Sequence, residues 1–256
     1  MKKLKETFKH NNSGQLLIVA ALAIAVLISS TTTYVYELSK ETSGTNDSTI
    51  NESILAIRQS TKNVMISSLA NVSNGGTRTL LTENLNTFLH TLRNTHQLGI
   101  CNLEFTTFND SGYDEGTRLS WDTTSPATSS AYANFTLQAY GENSRIITKF
   151  AINVTTAVAV SGFYITLAGG EKNVSLTCNL KNEGEPALVK NLTVFYNDAG
   201  NWTQAGTANG LSVADYGNGT YTVSFRVVVA DPVQVSVQIL DLRNIFVRAN
   251  MTCYAG

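Results

Sequence analysis

Residues that could carry out catalysis are scarce in this chain of 256 residues. It contains three histidines, and His90 and His96 stand six positions apart on a predicted helix, where they would not face the same way. Gly-x-Ser-x-Gly, His-Glu-x-x-His, Cys-x-x-Cys and phosphate-loop motifs are all absent. We therefore predict no enzymatic activity, no cofactor and no metal site.

One loop, residues 109–116, is acidic. Its carboxylates, Asp110, Asp114 and Glu115, are ligands that Ca²⁺ could use, but their spacing does not match the EF-hand loop. A solvated acidic turn is therefore the favoured interpretation.

Aromatic side chains near the middle of the chain allow two interpretations. Tyr113, Trp121 and Tyr132 could form a surface on which a sugar stacks, or they could belong to a hydrophobic core. The core is favoured, because aromatic residues in and beside strands are usually buried. Trp202, which follows a hairpin turn, is predicted to lie in the core as well.

Cysteines and asparagines indicate an extracellular location. Cys178 and Cys253 fall in two predicted strands of one late domain, and a disulfide bond between them would fit an oxidising compartment. Cys101 is then left over, either free or paired with another chain.

Asn-x-Ser/Thr sequences, the acceptors of N-glycosylation, are frequent in this chain, although several of them are expected by chance in a chain rich in Asn and Thr. The candidate N-glycosylation sites are Asn46, Asn51, Asn71, Asn109, Asn134, Asn153, Asn173, Asn191, Asn201, Asn218 and Asn250.

The N-terminal segment has the charge and hydrophobicity pattern of a membrane anchor. Four lysines lie within the first nine residues, and no charged residue occurs from His10 to Tyr36 if histidine is counted as neutral. The stretch Leu16–Tyr36 reaches the ~20 predominantly apolar residues of a membrane span when its Ser/Thr-rich end is included. The lysines before it and Glu37 and Glu41 after it predict a cytoplasmic N-terminus, with the rest of the chain outside.

Two other interpretations of this segment stay open. A cleaved secretory signal also has a basic start and a short apolar stretch, although Ile28-Ser29-Ser30 is a poor cleavage site. A buried core helix would leave the flanking lysines unexplained. An uncleaved or pilin-type helix is favoured over both.

Two amphipathic helices are predicted after the membrane segment. The first carries apolar or small side chains every three or four residues, at Ile50, Ile54, Ile57, Thr61, Met65 and Leu69. The second does so at Leu81, Leu85, Phe88 or Leu89, and Leu92, and is predicted to end at Gly99.

From residue 101 the pattern changes to the alternation of strands. Three or four antiparallel strands are predicted up to Val160, interrupted by a loop from about Asn109 to Ser130. We expect the two helices to pack their apolar stripes on this sheet, because neither can bury its apolar face alone.

A second unit is predicted to begin near Ser161-Gly162. Turns separate about seven short strands, which is the pattern of a β-sandwich. The predicted strands are Phe163–Leu167, Val174–Leu180, Leu188–Tyr196, Trp202–Gly206, Thr220–Val229, Val233–Leu240 and Ile245–Cys253.

The run Asp215-Tyr216-Gly217-Asn218-Gly219-Thr220-Tyr221-Thr222-Val223 resembles the tyrosine-corner region of immunoglobulin-like domains. The resemblance implies that Tyr221 is the corner residue. Val223 stands where antibody-type domains have a cysteine, so the resemblance is to immunoglobulin-like sandwiches in general.

The run Ser13-Gly14-Gln15-Leu16-Leu17-Ile18-Val19-Ala20-Ala21 resembles the start of archaeal type IV pilin-like proteins, which are anchored in the membrane by their N-terminal helix. The resemblance implies a leader cut between Gly14 and Gln15. It also implies a helix that anchors the protein or packs with other pilin-like subunits in a filament.

The expected fold class is α+β. It combines an N-terminal transmembrane helix, amphipathic helices on an antiparallel sheet and an immunoglobulin-like β-sandwich. The expected units are a basic cytoplasmic leader (1–14), a transmembrane helix (15–38), an extracellular α+β pilin-like domain (39–160) and the sandwich (161–256).

Two functions follow from this organisation. The first is a structural protein of the cell surface, a pilus subunit or adhesin, whose partners are membrane lipid and other pilin-like subunits. The alternative is a monomeric, membrane-tethered binding or accessory protein for a glycan or an envelope protein. The net charge of -1 provides no basic surface, so nucleic acid is not an expected partner.

Overall fold

The structure, a computed structural model, describes residues 51–94, 100–110, 112–121, 126–140 and 145–256. The predicted leader (1–14) and transmembrane helix (15–38) lie outside these described residues. Within the described part, no helix is both long and apolar enough to cross a membrane.

The described chain contains two α-helices followed by twelve strands. Helix α1 covers residues 51–73, and helix α2 covers Leu80–Asn94. The strands are β1 (Ile100–Thr107), β2 (Thr117–Ser120), β3 (Ala127–Tyr140), β4 (Arg145–Thr166), β5 (Lys172–Asn182), β6 (Glu185–Pro186), β7 (Val189–Asp198), β8 (Asn201–Gln204), β9 (Ser212–Asp215), β10 (Thr220–Val227), β11 (Val233–Asp241) and β12 (Phe246–Cys253).

The strands form two antiparallel sheets. The larger sheet has the order β1-β3-β4-β5-β10-β9, with β2 paired to β3 and β6 paired to β5. The smaller sheet has the order β12-β11-β7-β8. The predicted fold class is thus confirmed in its coarse form: a mostly antiparallel β-structure with two helices and a sandwich of sheets.

The predicted packing of the helices on the sheet is confirmed. From α1, Ile57, Met65 and Leu69 are buried, and from α2, Leu81, Leu85 and Leu89 are buried in the same cluster. Their partners on the sheet are side chains that alternate along the strands, as a half-buried strand requires: Leu103, Ala131, Ala133, Phe135, Leu137, Ile152 and Val154.

The sandwich has a separate hydrophobic core. Strands β4, β5 and β10 of the larger sheet and β7, β11 and β12 of the smaller sheet contribute apolar side chains to it. Six of the seven strands predicted in this region are present, as β5, β7, β8, β10, β11 and β12, whereas the predicted strand Phe163–Leu167 is the end of β4. Strands β2, β6 and β9 were not predicted, and the loop expected from Asn109 to Ser130 contains β2 and the start of β3.

The predicted boundary at residues 160/161 falls inside one strand. β4 runs without a break from Arg145 to Thr166; its Ile152 and Val154 pack under the helices, whereas its Val158 and Val160 pack in the sandwich. Gly162 does not mark a turn. A Cβ atom there would lie 2.6 Å from the Leu176 side chain and 2.6 Å from the Ser175 carbonyl oxygen on β5, so glycine allows the strands to approach closely.

Candidate functional site

The turn between β11 and β12 is fixed by one buried carboxylate, that of Asp241. Its Oδ1 accepts hydrogen bonds from the backbone N–H groups of Arg243 and Ile245, both at 2.8 Å. Its Oδ2 accepts bonds from the Thr156 hydroxyl and from Arg243 Nε, both at 3.0 Å. Four donors therefore satisfy the carboxylate, which is the condition for burying its charge.

The guanidinium group of Arg243 joins this turn to two other parts of the sandwich. Its Nη1 contacts both carboxylate oxygens of Glu183, in the turn between β5 and β6, at 2.8 and 3.0 Å. Its Nη2 donates to the Thr155 carbonyl oxygen at 3.1 Å and to the Thr156 hydroxyl at 2.9 Å, both on β4. The fork of arginine donors thus connects three chain segments.

Helix α1 ends on the same turn. The Ser73 hydroxyl accepts the Phe246 N–H at 3.0 Å, and the Asn74 side-chain amide donates to the Asn244 carbonyl oxygen at 2.9 Å. Ile245, in the turn, is buried in the cluster under the helices. We call these contacts, together with the Asp241–Arg243 network, the helix–sandwich junction. Its polar groups satisfy one another's hydrogen bonds and tie the end of α1 to the turn between β11 and β12.

A second polar cluster surrounds Lys172, at the start of β5. The Lys172 ammonium group is buried, lies 2.5 Å from Asp231 Oδ1, and donates to the Val229 carbonyl oxygen at 2.7 Å. It also lies 4.9 Å from the centre of the Tyr164 ring, a cation–π geometry. The Tyr164 hydroxyl donates to the same Asp231 oxygen. The hydrogen bonds from Lys172 and Tyr164 lower the pKa of Asp231, and the bond to Asp231 raises the pKa of Tyr164.

The lowered pKa of Asp231 predicts an acid-dependent contribution to stability. Its ionised form stabilises the fold above the unfolded-state pKa of about 3.9, and this contribution is lost as the pH falls through the lower folded-state pKa. Asp231→Asn is expected to lower the unfolding midpoint at pH 7, and the difference from the natural protein should shrink towards pH 3. Asp198→Asn, at an exposed carboxylate, is the control. A difference that does not change with pH would contradict the assignment.

The two sandwich cysteines are free, buried thiols. The disulfide bond predicted between Cys178 and Cys253 is therefore not formed in this structure. Cys178 lies on β5, between β4 and β10, whereas Cys253 ends β12, an edge strand of the other sheet. Burial raises the pKa of Cys178 to about 12 and that of Cys253 to about 11. The side chain of Cys101 lies outside the described part of the chain.

Buried, protonated thiols are expected to resist alkylation, because the thiolate is the nucleophile. In a Cys101→Ser background, the folded protein should take up no iodoacetamide at pH 8. After unfolding without a reducing agent, it should take up two equivalents, which intact-mass spectrometry would count. An unfolded, non-reduced protein that takes up none would instead establish the disulfide bond.

Tyr113, Trp121 and Tyr132 are half-buried, and Trp121 packs against the core of the sandwich, as the favoured interpretation expects. Tyr113 and Tyr132 both pack edge-on against Phe108, each with ring centres 5.4 Å apart, whereas Trp121 packs against Phe246 at 5.1 Å. The three predicted residues therefore do not form one stacking surface. Trp202 is 48% exposed, so the prediction that it lies in the core is wrong. The four-residue edge strand β8 has all its residues exposed.

Tyr221 is buried, but its hydroxyl makes a long-range contact. It accepts the N–H of Val189, 32 residues upstream, at 2.9 Å. Val189 belongs to β7 in the smaller sheet and Tyr221 to β10 in the larger one, so this bond joins the two sheets. In a tyrosine corner the hydroxyl bonds to the backbone a few residues upstream, so Tyr221 does not have the geometry of the predicted corner residue. Desolvation is the main cause of the raised pKa of Tyr221.

The acidic loop contacts the start of the second helix. Asp114 lies 3.4 Å from Arg78, and Glu115 accepts a hydrogen bond from Thr82 at 3.4 Å. Among the described residues, no group of three or more His, Cys, Asp or Glu side chains is placed to hold a metal ion. His90 is exposed on α2 and contacts Asn94 at 2.9 Å, whereas His96 lies outside the described residues.

The candidate glycosylation sites are accessible wherever the structure describes them. Asn173 is partly buried, Asn46 lies outside the described residues, and the others are exposed: Asn51, Asn71, Asn109, Asn134, Asn153, Asn191, Asn201, Asn218 and Asn250. Their occupancy stays a prediction, as does cleavage between Gly14 and Gln15, which also lie outside the described residues.

Comparisons with protein-family models, with curated proteins and with solved structures found no match.

Proposed function

We propose that this chain is a structural protein of the cell surface, anchored by a pilin-like N-terminal helix and displaying its β-rich part outside the cell. The observation that carries the proposal is the helix–sandwich junction. Helix α1 is the first described element after the N-terminal segment. At its C-terminal end it is hydrogen-bonded to the sandwich through Ser73 and Asn74. A force applied at the N-terminal end of α1 would therefore be transmitted to both sheets through side-chain hydrogen bonds as well as through the backbone.

The continuous strand β4 supports the same role. It contributes to the core under the helices and to the core of the sandwich, so no linker separates the two. A surface protein that bears shear benefits from such continuity, because no hinge can open under load. The proposal includes residues 15–38 as the transmembrane helix, a cytoplasmic N-terminus, and membrane lipid and other pilin-like subunits as partners.

The immunoglobulin-like character of the sandwich is part of the proposal. The strand orders β4-β5-β10-β9 and β12-β11-β7-β8 support it. If β4, β5, β7, β9, β10, β11 and β12 are lettered A to G, these orders agree with the A-B-E-D and G-F-C sheets of immunoglobulin-like domains. The short strands β6 and β8 are then additional edge strands. Tyr221 would then lie on strand E, which explains why it does not form a corner at the start of strand F.

Shearing intact cells tests this function. The protein is expected to leave with sheared filaments, while an integral protein of the cell membrane, probed in the same fractions, stays behind. Retention with the membrane would overturn a role as a filament subunit and favour the tethered binding protein. Protection of the chain from protease added to intact cells would overturn surface display altogether.

A further inference from the structure

The outer face of the smaller sheet carries an unusual set of side chains. Its central row consists of Asn250, Ser236 and Phe195, which lie opposite one another on β12, β11 and β7. Gln238 and Arg248 form the neighbouring row on one side. We call this surface the amide face.

The next row adds an exposed indole ring. Trp202 on β8 lies opposite Asn197 on β7, and the Asn197 amide donates to Gln234 at 2.8 Å. Because Thr203 lies opposite the core-packed Tyr196, the alternation of the strand points Trp202 outward. The indole ring is therefore presented to solvent at the edge of the amide face.

A shallow groove of about 320 Å³ runs across this face. It crosses four strands, from the edge strand β8 to the edge strand β12, which corresponds to about 14 Å at the usual spacing of strands. Its lining consists of Phe195, Trp202, Ser236, Gln238, Arg248 and Asn250. The volume lies at the lower end of the range for ligand sites.

The lining favours an oligosaccharide. The apolar face of a sugar ring can pack on an exposed indole, and its hydroxyl groups both donate and accept hydrogen bonds. The Gln238 and Asn250 amides offer a donor and an acceptor each, whereas Ser236 in the same lining is only 4% exposed. Arg248 is the charged residue of the lining, half-buried with its guanidinium 5.8 Å from the Trp121 ring. Its positive charge favours a carboxylate on the ligand.

The groove on the larger sheet provides a contrast. It is larger, about 490 Å³, but its polar lining is made of serine and threonine hydroxyls: Ser161, Ser175, Thr177, Ser212, Thr222 and Ser224. The lining contains no amide and no charged side chain, and its aromatic residue is Phe163, 46% exposed. Volume alone therefore does not single out the amide face; the chemistry of its side chains does.

We propose that the amide face binds an oligosaccharide that contains a uronic acid, with one sugar ring on Trp202 and the carboxylate directed towards Arg248. The length of the groove fits two or three sugar units. This inference goes beyond the structural role proposed above, because it concerns a different surface and does not depend on filament assembly.

Titration of the purified full-length chain in detergent micelles tests the proposal. The protein is produced in a host without N-glycosylation, and the probes are trigalacturonate and the neutral maltotriose. Saturable binding of trigalacturonate is expected, with maltotriose weaker. Trp202→Ala should weaken binding roughly tenfold or more. Phe163→Ala, which removes an equally exposed aromatic side chain from the other groove, should leave it unchanged.

Arg248→Gln tests the role of charge, and is expected to abolish the preference for trigalacturonate over maltotriose. Unfolding midpoints of all variants establish that they remain folded. Dissociation constants above about 1 mM for both probes would overturn the proposal, as would unchanged binding by Trp202→Ala. Equal binding of the two probes would overturn the assignment of an acidic sugar.

The protein's own glycan is the competing occupant, because Asn250 is both a lining residue and a candidate glycosylation site. Peptide mass spectrometry of protein from its native source distinguishes the two. A bare Asn250 supports an open groove, whereas a glycan attached to Asn250 would fill the groove and overturn the proposal.

Discussion

Replacing Asp241 with alanine is expected to lower the free energy of unfolding by about 3–5 kcal/mol. The substitution leaves the half-buried guanidinium of Arg243 without one of its two carboxylate partners. It also removes the acceptor for the N–H groups of Arg243 and Ile245 and for the Thr156 hydroxyl. Each buried donor left unpaired adds its own desolvation cost.

Denaturant unfolding of the full-length chain, with the slope held equal between variants, measures this loss. Asp198→Ala removes an exposed carboxylate at the end of β7 and is expected to change the free energy by less than about 0.5 kcal/mol. Asp241→Asn keeps the shape of the side chain but removes its charge. Its loss of unfolding free energy should therefore lie between the losses for Asp241→Ala and Asp198→Ala. A loss of less than 1 kcal/mol for Asp241→Ala would contradict the junction as a stabilising element.

Replacing Leu85 with alanine is expected to cost about 2–5 kcal/mol, the range for emptying a buried leucine site. Leu85 is 1% exposed and packs in the cluster between the helices and the larger sheet. Its loss removes apolar contacts and leaves a cavity, because the surrounding side chains relax only partly into the space. The same unfolding measurement applies.

Leu55→Ala is the matched control, because the same side chain is 64% exposed on helix α1. This variant is expected to stay within about 0.5 kcal/mol of the natural protein. Equal effects at the two positions would contradict the packing of helix α2 on the sheet.

Local periodicity predicted the helices and most of the strands. The three- and four-residue spacing of Ile57, Met65 and Leu69 shows which side of α1 is buried, whatever it packs against. The alternation predicted for the strands is present in β3, where Phe135 and Leu137 are buried and Asn134 is exposed. Short polar strands such as β2 and β9 do not alternate in hydrophobicity, so nothing in their sequence distinguishes them from loops.

Gly162 lies at the predicted domain boundary, but its role in the structure is not that of a linker. Ser161-Gly162 has the composition of a linker, but Gly162 meets a neighbouring strand that approaches too closely for a side chain. Close approach and chain reversal both select glycine. Only the pairing of β4 with β5 distinguishes them, and that pairing depends on contacts between distant parts of the chain.

The candidate sites required the same long-range information. The turn at residues 241–244 was predicted, but its contacts with Glu183 and Thr156 span 60 and 85 positions or more. Trp202 was misplaced because its orientation depends on the register of β8 against β7. Cys178 and Cys253 both lie in strands as expected. A disulfide bond also requires that their Cα atoms lie close together and their Cβ atoms point towards each other, which depends on how the two sheets pack.

The N-terminal peptide of the protein isolated from its native membrane tests the central proposal most directly. Mass spectrometry should find a chain that begins at Gln15, because a pilin-type leader is cut after Gly14 before the helix anchors or assembles. A chain that begins at Met1 or Lys2 would contradict pilin-type processing, and would favour a fixed anchor for a membrane-tethered binding protein.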